Sequence, residues 1–195
     1  PYTNGNGVKK TRRHLESGKK EGKRIGNLSL REGQMRIKET LERALQFFQK
    51  AYRCQMKGDL DGAVRLYKQS IGCHPTAEAY TFLGWTYSFQ GRYDDAIGEC
   101  KKAIATDPSF GNPYNDIGAY LINMSKFDEA IPWLERAIKA ERYEAYHYPH
   151  CNLGRVYITK GMLKKALEEF EKALDIEPNH SFARQAVESI QRQLH

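Results

Sequence analysis

The chain has 195 residues, of which 40% are hydrophobic and 28% are charged, and its formal net charge is +7. This hydrophobic fraction excludes wholesale disorder and predicts a domain with a core of its own. No apolar run is long enough to cross a bilayer, and no apolar stretch follows the basic start, so we expect neither a membrane span nor a secretory signal.

Residues 1–36 carry the whole excess of positive charge. They contain ten Lys and Arg residues against three Glu, whereas residues 37–195 contain twenty-one residues of each sign. The segment also has six glycines and almost no large apolar side chains, so it cannot bury enough surface to offset the entropy of ordering. We therefore predict a basic, flexible arm over residues 1–36.

The basic residues of this arm are candidates for binding a polyanion, because paired cations in a glycine-rich segment suit contacts with phosphates. They are Lys9, Lys10, Arg12, Arg13, Lys19, Lys20, Lys23 and Arg24. A solvated tail is the plain alternative, and a nuclear import signal is a weaker one.

The first predicted helix begins after a possible capping box from Ser29 to Glu32. Ile37, Leu41, Ala44 and Phe48 then follow one another at steps of three or four residues, which is the stripe of an amphipathic helix.

Downstream of this helix the sequence repeats itself. The blocks YTFLGWTY (80–87), YNDIGAYL (114–121) and HCNLGRVY (150–157) align without gaps, with glycines at 84, 118 and 154. A second block follows each of them and begins its apolar stripe at Ala96, Ala130 and Ala166, while Ala63 marks an earlier, more diverged copy. The spacing of these alanines is 33, 34 and then 36 residues. Each copy predicts two antiparallel helices, and neighbouring pairs must stack to bury their apolar faces.

This pattern resembles the tetratricopeptide repeat (TPR) family, in which W-x2-L-G-x2-Y is followed by A-x3-F and a closing proline. The resemblance implies an all-α TPR solenoid of four helix pairs, at about 44–76, 77–110, 111–146 and 147–180, within a repeat region of 37–180. The amphipathic residues 181–195 predict a C-terminal capping helix.

Several positions depart from the family pattern. Tyr80, Tyr114 and His150 stand where the family has Trp. Ser125 replaces the turn glycine that the other copies have at 58, 91 and 161, and Arg142 replaces the closing proline. Two extra residues separate the third and fourth copies.

In the family, the first helices of the pairs line a concave groove, and the fifth, ninth, twelfth and thirteenth repeat positions face it. The resemblance therefore implies a peptide-binding groove formed by Phe48, Tyr52, Thr81, Trp85, Phe89, Asn115, Asn123, Cys151 and Arg155, and the same register places Gln55 there. The aromatic residues could instead be covered by the arm or by the next helix. We expect Asn112 to cap the helix that Pro113 begins, whereas packing gives no reason for Asn115.

The resemblance implies a non-enzymatic adaptor or scaffold that binds a protein or peptide segment. The alternative is a structural subunit of a nucleic-acid-containing assembly, held by the basic arm. Chaperone-tail-binding members have Lys and Asn where this chain has Phe48 and Tyr52, so we expect no carboxylate clamp for Hsp70 or Hsp90 tails.

Motifs for other chemistry are weak. No nucleophile is paired with a base, so we predict no enzyme activity and no cofactor. His147, His150 and Cys151 share a helix face but offer too few ligands, so we predict no metal site. The cysteines at 54, 73, 100 and 151 show no close pairing, which predicts a cytoplasmic or other reducing intracellular location.

Overall fold

A computed structural model describes residues 33–194, which form nine helices and no strand in that range. Helix α1 covers residues 33–56 of the described range. It is followed by α2 (Leu60–Cys73), α3 (Ala77–Phe89), α4 (Tyr93–Thr106), α5 (Asn112–Asn123), α6 (Phe127–Ile138), α7 (His147–Thr159), α8 (Leu163–Ile176) and α9 (Ser181–Leu194).

The chain divides into two units, one up to Arg43 and one from Ala44 onward. In the first unit the described residues 33–43 are helical and exposed. The second unit contains the repeats.

The helices of the second unit pack as successive antiparallel pairs, which confirms the predicted fold. Helix α3 packs on α4, α5 on α6 and α7 on α8, and α9 covers α8 as the predicted cap. The first pair is formed by the end of α1 and α2, where Phe48 meets Tyr67 with ring centroids 5.4 Å apart. Neighbouring pairs then stack so that α3 contacts α5 and α5 contacts α7. The first helices of the pairs therefore share one surface, which we call the A-helix face.

Two sequence features produce this packing. Gly84, Gly118 and Gly154 lie where the two helices of a pair touch, and an added Cβ at Gly154 would fall 2.7 Å from the Phe170 ring. The turn residues take a left-handed conformation, with φ of 82° at Gly58, 74° at Gly91, 72° at Gly161 and 60° at Ser125. Ser125 thus adopts the conformation for which the other copies use glycine.

The two extra residues between the third and fourth repeats belong to the connection between α6 and α7. The backbone of Arg142 bonds to the loop before α5, since its N–H donates to Ser109 O at 2.9 Å and its carbonyl accepts from Gly111 N at 3.0 Å. Its guanidinium pairs with Glu78 at 2.7 Å and with Asp107 at 2.8 Å. These contacts hold the connection against α3 and the start of α5.

The predicted capping role of Asn112 is wrong. Helix α5 begins at Asn112 itself, its N-cap is Gly111, and no side chain caps it. The physical reason is the connection just described, because Gly111 is bonded to Arg142 and lies against the Tyr143 side chain, where a Cβ would overlap. Pro113 lies in the first turn, as predicted.

Candidate peptide-binding groove

The A-helix face contains most of the residues predicted for the groove, with differing exposure. Tyr52 and Phe89 are 42% and 54% exposed. Phe48, Trp85 and Asn115 are half-buried, and Asn123 and Arg155 are exposed.

Three residues that the family's repeat positions predict for this face are buried instead, namely Thr81, Cys151 and Gln55. Thr81 donates to Ala77 O at 2.8 Å, and Cys151 packs in a core cluster with Phe170 and Ala183. Burial raises the pKa of the Cys151 thiol to about 11, so it stays protonated near neutral pH. Gln55 was wrongly placed in the groove, because its Oε1 accepts buried hydrogen bonds from Tyr67 at 2.9 Å and Thr86 at 3.2 Å.

The aromatic residues of the first two repeats form one continuous strip, which we call the aromatic strip. Phe82 lies at its centre, with ring centroids 5.1 Å from Phe48, 5.9 Å from Tyr52 and 5.6 Å from Trp85. Trp85 in turn lies 5.2 Å from Phe89. The two ends of the aromatic strip, Tyr52 and Phe89, are large apolar groups in contact with solvent.

Polar side chains continue the A-helix face into the third and fourth repeats. Asn152 donates through Nδ2 to Asn115 Oδ1 at 3.0 Å, joining α7 to α5. Arg155 then donates to Asn152 Oδ1 at 3.2 Å. We call these three residues the amide row, and they present charge and amide groups beside the aromatic strip.

A pocket of about 380 Å³ lies between the aromatic strip and the amide row. Its walls come from α3, from α5 and from the connection that leads into α7. The lining residues are Thr81, Phe82, Trp85, Asn112, Asn115, Asp116, Tyr143, Ala145 and Tyr148, and we call it the Asp116 pocket.

Asp116 is the one acidic side chain in this lining, and its charge is poorly compensated. Burial raises its pKa from 3.8 to about 7, and the one opposing influence is a hydrogen bond from Asn115. Within the described range, therefore, no Lys, Arg or His side chain favours its ionised form. A carboxylate at the edge of an aromatic pocket can attract a cation.

The four repeat positions that predict the groove do not include those of Phe82, Asp116 and Asn152, so the sequence did not predict these residues for the A-helix face. Each directly follows a predicted fifth-position residue, namely Thr81, Asn115 and Cys151. Adding the sixth repeat position to the four that were used would have found all three.

The weak metal motif gains no support. Across residues 33–194 no group of three or more His, Cys, Asp and Glu side chains is arranged to hold a metal ion. His150 instead bonds through Nδ1 to Glu169 Oε2 at 2.7 Å.

The basic residues predicted to bind a polyanion, Lys9 to Arg24, and the possible capping box lie outside the described residues. None of the helices described is both long enough and apolar enough to cross a membrane.

Comparison with known families identifies the repeat. Family models described as tetratricopeptide repeat match residues 77–110, 112–143 and 147–180, about half of the chain. They overlap the regions predicted for the second, third and fourth repeats, and the third match, 112–143, is shorter than the predicted 111–146. The first predicted repeat, 44–76, is outside these matches, although its two helices pack as a pair.

Solved structures agree on the fold. A crystal structure of the MamA protein is 30% identical, with 77% of this chain and 82% of that chain covered and a TM-score of 0.65. The first TPR of Spaghetti (RPAP3), bound to the HSP90 peptide SRMEEVD, is 24% identical, with 60% and 92% covered and a TM-score of 0.56. At that identity the second likeness shows the fold alone.

Among curated proteins, small glutamine-rich tetratricopeptide repeat-containing protein 2 of Mycosarcoma maydis is 25% identical over 53% of this chain and 30% of its own length. Protein SGT1 homolog of Oryza sativa subsp. japonica is 33% identical over 44% of this chain and 24% of its own length. The chain thus spans less than a third of the length of these curated relatives.

Proposed function

Because the chain belongs to the tetratricopeptide repeat family, we propose that it is a non-enzymatic adaptor or scaffold that binds a segment of a protein partner along the A-helix face. Repeats of this kind stack into extended surfaces that serve protein interaction. All four cysteines are free, so the proposal includes a reducing intracellular location.

The observation that carries this proposal is the aromatic strip. Tyr52 and Phe89 are exposed at its ends, and Trp85 is half-buried between Phe82 and Phe89. A contiguous exposed apolar patch on a soluble domain tends to mark an interaction site, and Trp and Tyr are the usual anchors of such interfaces. The adjoining amide row offers hydrogen-bonding groups, which an extended segment needs for its unpaired backbone.

The chemistry of this surface does not suit a chaperone tail. The Spaghetti domain was solved with an HSP90 peptide, but its likeness to this chain extends only to the fold. Phe48 and Tyr52 occupy the positions that carry Lys and Asn in the carboxylate clamp, and Phe48 packs against Tyr67 and Phe82. We therefore propose that the partner segment is not the C-terminal tail of Hsp70 or Hsp90.

Tryptophan fluorescence tests the proposal, because Trp85 lies on the A-helix face whereas Trp133 lies on α6. Peptides are first selected from a library of random dodecapeptides on the immobilised 195-residue chain. Each is then titrated into Trp133→Phe, where Trp85 alone reports, and into Trp85→Phe, where Trp133 alone reports. Binding should change the emission of Trp85 and leave that of Trp133 unchanged. Peptides that change only Trp133 would contradict binding on this face.

The nucleic-acid alternative rests on the charge of residues 1–36 alone. Its test compares the full chain with a chain lacking residues 1–36. The full chain should bind RNA or DNA with an affinity that falls steeply as salt rises, and the shortened chain should not bind. Equal binding by both would remove this alternative.

A further inference from the structure

The Asp116 pocket combines aromatic walls with a carboxylate. A pocket that bound only apolar groups would not need the carboxylate. Trp85 and Phe82 come from α3, Asp116 comes from α5, and Tyr143 and Tyr148 come from the connection and the start of α7. Aromatic faces attract cations through their quadrupole, and this attraction grows when the cation is removed from water.

Among residues 33–194, no Lys, Arg or His side chain forms an ion pair with Asp116 in the pocket. The charge of Asp116 helps to raise the pKa of three neighbouring groups, namely Cys100 on α4, Tyr120 on α5 and Tyr143 in the connection. The pKa of each of these three groups is raised mainly by burial, so all three are neutral near pH 7. They cannot compensate a carboxylate, and a half-buried carboxylate without a cation is costly.

Arg142, which belongs to the same connection as Tyr143, is already engaged elsewhere. The Arg142 guanidinium lies 4.1 Å from the centre of the Phe110 ring and pairs with Glu78 and Asp107. The lining of the Asp116 pocket does not include Arg142. The pocket is therefore complementary in charge to a basic group that does not belong to residues 33–194.

We infer that the Asp116 pocket binds a lysine or arginine side chain of the partner segment, with Asp116 accepting its hydrogen bonds and the rings of Trp85 and Tyr148 packing on its aliphatic stem. This inference rests on the proposed function and adds specificity to it. A volume of about 380 Å³ is enough for one long side chain. The position of the pocket, between the aromatic strip and the amide row, makes the basic residue a central element of the bound segment.

The test uses the selected dodecapeptides whose binding changes Trp85 emission. Their sequences should share a Lys or Arg at one position. In a synthetic peptide, replacing that residue by norleucine should weaken binding to the unaltered chain about tenfold or more, because it leaves Asp116 unpaired. With Asp116→Asn the same replacement should change affinity by less than about twofold, so the two changes are coupled.

A matched control removes a different charge. Glu144 is exposed in the same connection but does not line the pocket, so Glu144→Gln changes the net charge equally. With Glu144→Gln the norleucine replacement should still weaken binding about tenfold. A loss of the effect in both variants would indicate general electrostatic attraction and would overturn the pocket assignment.

The remaining outcomes separate this inference from the proposed function. Peptides that change Trp85 emission without preferring a basic residue would overturn the inference and leave the adaptor proposal intact. A selection in which no peptide changes Trp85 emission would overturn both. A synthetic peptide of residues 9–24 is the probe for this chain's own basic segment. If it binds more tightly than every selected peptide, the pocket binds that segment and not a partner, which would overturn the inference.

Discussion

Asn152 donates a hydrogen bond to Asn115 over 3.0 Å, and this bond joins the first helices of two successive repeats. It answers the question that the sequence left open, because Asn115 has no role in core packing. The side-chain oxygen of Asn115 accepts this bond within the protein, so the residue both fixes the relation between α5 and α7 and presents its remaining hydrogen-bonding capacity to the A-helix face.

Replacing Asn115 should therefore affect binding more than folding. We expect Asn115→Ala to weaken a peptide bound on the A-helix face by about 0.5 to 1.5 kcal/mol, the value of one amide hydrogen bond. Asn152→Ala should have a similar but smaller effect, because it releases Asn115 without removing it. The double variant should lose less than the sum of the two, and strict additivity in calorimetric titrations would show that the bond plays no part in binding.

Trp85 should be the strongest single contact. Truncating a large aromatic at a binding hot spot costs at least about 2 kcal/mol, or roughly thirtyfold in affinity. We expect Trp85→Ala to produce this loss for a peptide on the A-helix face while circular dichroism shows an unchanged helical fold, because Trp85 is only half-buried. If Trp85→Ala unfolds the protein, the ring is part of the core; if both the fold and the affinity are unchanged, the peptide binds elsewhere.

The sequence predicted the repeats well because their physics is local and periodic. The glycine at position 154 and the alanine at position 166 have counterparts in the earlier repeats at intervals of 33 to 36 residues, because each repeat needs the same close contact. Whether a side chain on the A-helix face is exposed depends instead on the residues that pack against it. Asn115 and Cys151 occupy equivalent positions, yet Cys151 is buried because it packs in the cluster that α8 and α9 complete. The Asp116 pocket could not be predicted, since Tyr143 and Ala145 of its lining come from the connection that departs from the repeat pattern.

Two glycine-to-alanine changes should alter stability in opposite directions. At Gly154 an added methyl group would lie 2.7 Å from the ring of Phe170, which is fully buried. We expect Gly154→Ala to destabilise the fold by about 1 to 3 kcal/mol. At Gly98, inside α4, no atom lies within 4 Å of an added Cβ, so Gly98→Ala should stabilise it by about 0.5 to 1 kcal/mol. Urea unfolding of both variants checks the pair, and equal effects would mean that the close helix contact at Gly154 is absent.

The turn at Ser125 should improve when it is given the residue that the other turns use. Ser125 has φ of 60°, a conformation that costs an L-residue about 1 to 2 kcal/mol relative to the right-handed region. Glycine loses more entropy on folding, so we expect a net gain of about 0.5 to 1 kcal/mol for Ser125→Gly. The reverse change, Gly91→Ser, should destabilise the protein by a similar amount. Thermal unfolding measures both, and a lower melting temperature for Ser125→Gly would contradict the strain at this turn.

Asp116 should make stability depend on pH in a specific direction. Burial raises the pKa of its carboxyl group to about 7 in the folded protein, above the ordinary 3.8 of an unfolded chain. Between these values the folded state holds more protons than the unfolded state, so stability falls as pH rises through this window.

Asp116→Asn removes the ionisable group and should therefore stabilise the protein at pH 8, with a gain that shrinks as pH falls to 4. Three pKa units at about 1.4 kcal/mol each set a ceiling of about 4 kcal/mol, and partial solvent access reduces the expected gain to about 1 to 2 kcal/mol. Urea unfolding of both proteins from pH 4 to 8 measures the difference, with Glu144→Gln as the control for an exposed carboxylate. A gain for Asp116→Asn that is the same at every pH would show that the carboxyl group titrates normally and that the pocket does not leave its charge uncompensated.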